Sequence, residues 1–264
     1  MYNYKLFESK KKINYNQLLL NIKKLLPKHI NCIPDNAALS ILETIKRTKQ
    51  KNYMLETGAG ASTIALFLGS FIKKKKFFTF ETSAARISQI RQVINESICD
   101  PLKINLSDYW IPINSDSLCP YTGIKALKAF NKKFDFAFLD SEHTLIHLTK
   151  EVSSFLELTD KAFYLGIDDG HMNYKKVNID YKNLIRNKIN LRPLKIKDNV
   201  CSEFYLEILD LLKSKYKNSR LIKPVKRLNS KKDLYFKYYG ELTFKPTELK
   251  KNITYKTCFY YTKK

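Results

Sequence analysis

The chain has 264 residues, 44% hydrophobic and 13% aromatic, which is enough for one large α/β domain with a sizeable core. Its net charge of +23 invites a polyanion partner, but the surplus is lysine, 41 against seven arginines, and specific recognition of phosphates and bases leans on arginine forks. The five scattered cysteines include no Cys-x-x-Cys pair and signal neither a zinc site nor a disulfide framework; residues 1–12 are polar, unlike a signal peptide, and no run approaches the ~18 apolar residues of a membrane span, so a cytoplasmic protein with reduced thiols is expected.

In residues 15–26, Leu18, Leu19, Leu20, Ile22, Leu25 and Leu26 predict an amphipathic helix, stopped by Pro27. Pro34-Asp35 reads as the start of a second helix, with Asp35 as N-cap and Ala38, Leu39, Ile41, Leu42 and Ile45 as its apolar face. This pair belongs to an N-terminal helical extension over 1–50 and is expected to pack ahead of the first strand as a lid or a dimer arm, which leaves a homodimer open. A regular alternation follows. Tyr53, Met54 and Leu55 form a short buried strand closed by Glu56; Gly58 and Gly60 turn the chain; Ser62 and Thr63 open an apolar helix to Ile72. Then come a strand at 77–81, a helix at 84–98, a weak strand at 102–106 that 109–113 continues or replaces, a helix at 122–130, a strong strand at 134–139, a helix at 145–158 and a strand at 162–167. Such βα units predict a Rossmann-like, doubly wound, mostly parallel sheet with helices on both faces. After Gly170 the pattern changes: 177–189 is mixed, 202–216 reads as a helix, and 234–244 and 253–261 read as antiparallel C-terminal strands. Residues 51–264 are expected to form a single domain, with a basic extension from about 172; residues 213–264 alone hold sixteen basic and three acidic side chains.

A strand, a glycine-rich turn and a helix N-terminus make a cradle for a nucleotide-like ligand, because glycines let the backbone approach and the helix start offers N–H groups. Glu81 ends the second strand, where a carboxylate accepts both ribose hydroxyls of a nucleoside or, alternatively, caps the next helix. Asp140 ends the strand at 134–139, and Asp168 and Asp169 end the strand at 162–167. On a parallel sheet all three share a rim with Gly58 and Glu81, and they repel one another unless a cation or a bound ammonium neutralises them. Oxygen-only ligands suit Mg²⁺, Mn²⁺ or Ca²⁺. His143 is a candidate general base or metal ligand. His147 shares its helix face, and His171 follows the acidic pair; both are weaker candidates.

Glu56-Thr57-Gly58-Ala59-Gly60 with Ser62-Thr63, then Glu81, then Phe138-Leu139-Asp140-Ser141-Glu142-His143-Thr144, then Ile167-Asp168-Asp169, resembles the class I S-adenosylmethionine (SAM) methyltransferases. More narrowly it is similar to the branch with an Asp-Gly-Asp-His-like box, which includes catechol-type and macrolide-sugar O-methyltransferases and cephalosporin-hydroxylase-like enzymes. The resemblance covers roughly 34–171. It implies SAM as cofactor: Gly58 and Gly60 beside its methionine part, with Ser62 and Thr63 opening the helix; Glu56 orienting the loop and holding the amino group; Glu81 on the ribose; and Asp116 or Ser115 near the adenine. It further implies that Asp140, Asp168 and Asp169 hold a divalent cation such as Mg²⁺ that chelates the acceptor's oxygens, and that Asp140 and His143 carry the catalysis. Ser62 stands for the usual last glycine, and Ser141 and Glu142 replace the usual Gly and Asp of the box. The implied reaction is O-methylation of a small molecule or sugar.

Three competitors have separate grounds. A nicotinamide-dependent oxidoreductase uses a similar turn, but Thr63 stands where its third glycine belongs. Nucleic-acid binding or modification draws on the basic C-terminal region, where Tyr235, Phe236, Tyr238 and Tyr239 and then Phe259, Tyr260 and Tyr261 interleave with lysine; it is not favoured, since no Asn/Asp-Pro-Pro-aromatic box is present. A non-catalytic binding module keeps the fold as a scaffold, against which the intact glycines and rim carboxylates argue.

Overall fold

In the strands of this chain apolar side chains fall on both faces. The computed structural model, which describes residues 13–49, 52–142, 144–168, 170, 204–222 and 257–264, shows why. Strands β1 (Tyr53–Thr57), β2 (Phe77–Phe80), β3 (Trp110–Ile113), β4 (Phe134–Leu139) and β5 (Thr159–Ile167) pair in parallel. Helices cover both faces, so β2 and β4 are buried throughout. Two short strands, β6 (Arg220–Ile222) and β7 (Cys258–Lys263), complete a seven-stranded sheet of order β3-β2-β1-β4-β5-β7-β6, with β7 antiparallel to both its neighbours. The winding reverses between β1 and β4, which opens a crevice at their carboxyl ends.

Helices α1 (Tyr15–Lys23), α2 (Asp35–Ile45), α3 (Ala61–Lys73) and α4 (Ala84–Ile94) share one core with Met54, Phe77, Phe136 and Phe138. Helices α5 (Leu145–Leu156) and α6 (Phe204–Lys215) cover the opposite face over Leu55, Phe78, Ala137, Leu139 and Leu165. The two N-terminal helices, expected as a lid or an arm, are therefore wall: Leu19, Ile41, Leu42 and Ile45 are fully buried. Asp35 is not the N-cap expected for it. Pro34 holds that position, and Asp35, the first helical residue, binds Lys23 Nζ at 2.8 Å. Burying this lysine with its partner ties α1 to α2.

Three further expectations are corrected. The third strand is Trp110–Ile113, while 102–106 runs into a short 3-10 turn at Leu106–Asp108. The segment expected as a helix at 122–130 is a 3-10 helix, Ile124–Phe130. Helix α4 ends at Ile94 and widens into a π turn, Asn95–Cys99. The elements expected at 177–189 and 234–244 lie outside the described residues. Among the described residues no helix is long and apolar enough to cross a membrane.

Candidate functional site

Between β1 and α3 the chain needs a glycine. Gly58 has φ +75°, and a Cβ there would lie 1.8 Å from the Asp140 carbonyl oxygen. Gly60 is extended, but a Cβ on it would crowd the Ile30 carbonyl oxygen at 3.3 Å and Cys32 Sγ at 3.4 Å. The loop joining α1 to α2 thus lies against the turn. Burial, with Asp140 and Asp168 nearby, pushes the Cys32 thiol up to about 12 and keeps it protonated.

The helix start was expected to offer unpaired N–H groups, but those of the turn and of the first helical residue, Ala61, are taken. Gly58 donates to the Phe80 carbonyl (2.9 Å), Ala59 to Glu81 Oε2 (3.0 Å), Gly60 to Thr63 Oγ1 (3.0 Å) and Ala61 to the Ile30 carbonyl (3.2 Å). Four consecutive donors are spent within the protein. Glu56, wholly buried, anchors this arrangement. Its Oε2 accepts from Thr63 Oγ1 (2.9 Å) and Thr79 Oγ1 (2.7 Å), and Thr79 in turn accepts from Trp110 Nε1 (2.8 Å). Glu56 Oε1 and Ser62 Oγ are close enough for the hydroxyl to favour the carboxylate, yet among the described residues both lack a partner at hydrogen-bond geometry. Burial dominates and raises the Glu56 pKa to about 8.

The strand ladder runs one residue past each strand end. Glu81 N–H donates to the Ile113 carbonyl (3.1 Å), Asp140 N–H to the Thr57 carbonyl (3.0 Å) and Asp168 N–H to the Leu139 carbonyl (3.0 Å). Gly58, Glu81, Asp140 and Asp168 accordingly share the carboxyl rim, as expected from the sequence. Glu81 Oε1 accepts from Ser83 N–H (2.7 Å), and Oε2 accepts from Arg86 Nη1 (3.3 Å) as well as from Ala59. Thr82 Oγ1 also donates to Oε1 (3.4 Å), so the carboxylate's four lone-pair sites are filled, and a ligand hydroxyl would take the place of the longest bonds, those from Thr82 and Arg86. Asp116 reaches the same place from the loop after β3, where its Oδ1 accepts from Leu118 N–H (2.7 Å). Gly58, Glu81, Asp116 and Asp140 line one cleft of about 350 Å³ together with Arg86, Glu142 and His147. Four carboxylates therefore face one guanidinium and one imidazole.

No family model matches the chain, and no curated protein matches it in sequence. Among solved structures, it is similar to an O-methyltransferase from Bacillus cereus in complex with SAH, at 16% identity over 97% of this chain and 94% of that one, with a TM-score of 0.52. The O-methyltransferase TomG from Streptomyces achromogenes, involved in tomaymycin synthesis and complexed with SAM, aligns at 11% identity over 96% and 91% of the two chains (TM-score 0.51). Cofactor-bound Rv0187 from MTB aligns at 14% identity over 93% and 88% (TM-score 0.50). The chain has the class I methyltransferase fold.

On this methyltransferase fold the remaining expected residues divide. Ser62 and Thr63 are fully buried, Thr63 as a brace for the turn. Asp140 and Asp168 end neighbouring strands, and Asp168 Oδ1 accepts from Thr257 Oγ1 (3.2 Å). Asp169 and His143 lie outside the described residues. Among the described residues no group of three His, Cys, Asp or Glu side chains could hold a metal; of the expected acidic triad they include two members.

The cleft also holds a network that sequence reasoning left at the margin. Glu151, 1% exposed, accepts from Ser117 Oγ (2.5 Å) and Ser141 Oγ (2.7 Å). His147 lies between Glu151 Oε1 (3.3 Å from Nε2) and Glu142 Oε2 (3.2 Å from Nδ1). The Glu151 hydrogen bond, with the charges of Glu151, Glu142 and Asp116, raises its pKa despite burial. The network joins the loop after β3, the loop after β4 and α5. Its sequence signal is the four-residue spacing of His147 and Glu151 on one helix face.

Proposed function

We propose that the chain is a SAM-dependent methyltransferase that methylates an oxygen of a small molecule or sugar. The observation that carries this reading is the charge and donor balance of the cleft. A dinucleotide brings a pyrophosphate that needs backbone N–H groups at the turn, and Gly58 through Ala61 have none left. SAM brings a sulfonium and an ammonium, and the cleft is lined by Glu81, Asp116, Asp140 and Glu142. Opposite charges at short range favour the cationic ligand. Glu81 would take the ribose hydroxyls and Asp116 would lie near the adenine. Glu56 would act by holding Thr63 and the turn.

Methyl transfer from a sulfonium is an in-line displacement. The protein has to align donor and acceptor and relieve the acceptor hydroxyl of its proton. His143 is the base in this proposal, and Asp140, Asp168 and Asp169 are the ligands of a divalent cation. The cation would lower the acceptor hydroxyl's pKa. Two substitutions test these roles. Glu81→Ala is expected to weaken SAM binding by ~tenfold or more, since it removes charged hydrogen bonds to the ribose; unchanged affinity by calorimetry would remove Glu81 from the site. Asp168→Asn keeps the oxygen that accepts from Thr257 and is expected to lower turnover far more than SAM affinity. Equal loss of both would count against the metal role. The proposed setting is the cytoplasm, where thiols such as those of Cys32, Cys99, Cys119 and Cys258 are kept reduced.

A further inference from the structure

Away from the cofactor cleft, the pairing of β5, β7 and β6 builds a second site. Tyr164 stands opposite Tyr261, and Tyr261 opposite Arg220, so the three side chains form one row across a single sheet face. Tyr164 packs on the core cluster that contains α2, and Arg47, just beyond the end of α2, reaches the same row. Together with Leu221 and Ile222 these residues line a cleft of about 440 Å³ that shares no residue with the cofactor cleft. The tyrosine rings lie 5.1 Å apart between centroids, and the Arg220 guanidinium lies 5.4 Å from the centre of the Tyr261 ring. Burial raises the Tyr164 phenol, the neighbouring Tyr261 adds to this, and Arg47 and Arg220 pull it back. The raised phenol stays a protonated donor at neutral pH.

Among the described residues neither Arg47 nor Arg220 has a carboxylate partner. The carboxylate that Tyr164 senses, Asp135, is committed to Lys75 at 2.5 Å. The cleft thus offers two planar guanidinium forks, two phenol hydroxyls and two aromatic walls, with no carboxylate among the described residues that line it. Guanidinium forks match phosphate oxygens in pairs. In a chain with only seven arginines, two converge here.

We propose that this cleft binds a small phosphate ester, with Arg47 and Arg220 gripping the phosphate oxygens and the Tyr164 and Tyr261 rings packing its organic part. The inference does not depend on the methyltransferase reading. The test is calorimetric titration of phenyl phosphate and of inorganic phosphate into the full chain at constant ionic strength. Phenyl phosphate is expected to bind saturably, one per chain, and more tightly than inorganic phosphate. Arg47→Gln and Arg220→Gln are each expected to weaken it ~tenfold, and Tyr261→Leu to bring the two affinities together. SAM titration of the same variants reads the other cleft and is expected to be unchanged, so the two proposals fail separately. Circular dichroism, with Arg220→Lys as a charge-conserving control, guards against a folding defect. No saturable binding, binding indifferent to both arginines, or inorganic phosphate binding as tightly as the ester would overturn the proposal. So would a short oligonucleotide that outcompetes the ester through the same arginines, because the row would then belong to a nucleic-acid surface.

Discussion

Glu56 is the residue on which the turn depends, and its protonation follows from its burial. With a pKa of about 8 it is mostly neutral at pH 7. Oε2 is occupied by two hydroxyls, so the proton belongs on Oε1, beside Ser62. Its folded pKa lies above the unfolded value, so its contribution to stability is fully present below about pH 4.5 and is lost as pH rises to about 8. Glu56→Gln keeps an oxygen for Thr63 and Thr79 and places an amide where the proton sat. Thermal unfolding of the two proteins should therefore converge at low pH and diverge in favour of the glutamine variant as pH rises through this window. The slope is roughly 1.4 kcal/mol per pH unit at most; parallel curves would show that Glu56 is ionised in the folded state. At this scale the sequence was partly legible. Gly58, Glu81, Asp140 and Asp168 could be placed on one rim because each directly follows a strand. The network of Glu56 could not, since Thr79, and Trp110 behind it, are brought into place only by the sheet.

Elements are braced at the amino ends of the strands by a buried ion pair. Lys75, just before β2, binds Asp135 in β4 at 2.5 Å and also meets Thr48 Oγ1 and the Lys49 carbonyl. Burial lowers the lysine's pKa and raises the aspartate's, in each case outweighing the attraction between them. The net stability gained from the pair is therefore small, while losing one partner is costly. Asp135→Asn leaves a buried ammonium without its counter-ion and is expected to cost about 3–5 kcal/mol. The double replacement Lys75→Met, Asp135→Leu should be much less costly. Denaturant melts of the cycle decide this, and additive losses would contradict it. Elements were legible where their period was sustained, as in α3, β4 and α5. They were misread where local chemistry pointed two ways. Leu102, Ile104 and Leu106 alternate like a strand, yet they pack at the core margin while Trp110–Ile113 takes the ladder. Pro112 weakens that signal but is tolerated because β3 is an edge strand. Strand β6, only three residues long, has no period to detect.

For the whole molecule, total charge and site charge disagree. The chain carries +23, which by itself invites polyanions, yet the crevice at the switch point is lined by four carboxylates. Composition reports the solvated faces, and topology decides which side chains converge. The N-terminal helices make the same point. Their amphipathic pattern suits a detachable arm, but burial of Lys23 with Asp35 and the contact of Ile30 with Ala61 make them part of the wall behind the glycine turn. The direct test of the central claim is calorimetric titration of SAM and, separately, NAD into the purified chain, with EDTA and with Mg²⁺. The expected result is saturable SAM binding and no NAD binding, because Gly58 through Ala61 have no N–H left for a pyrophosphate. NAD binding, or binding of neither cofactor, would contradict it.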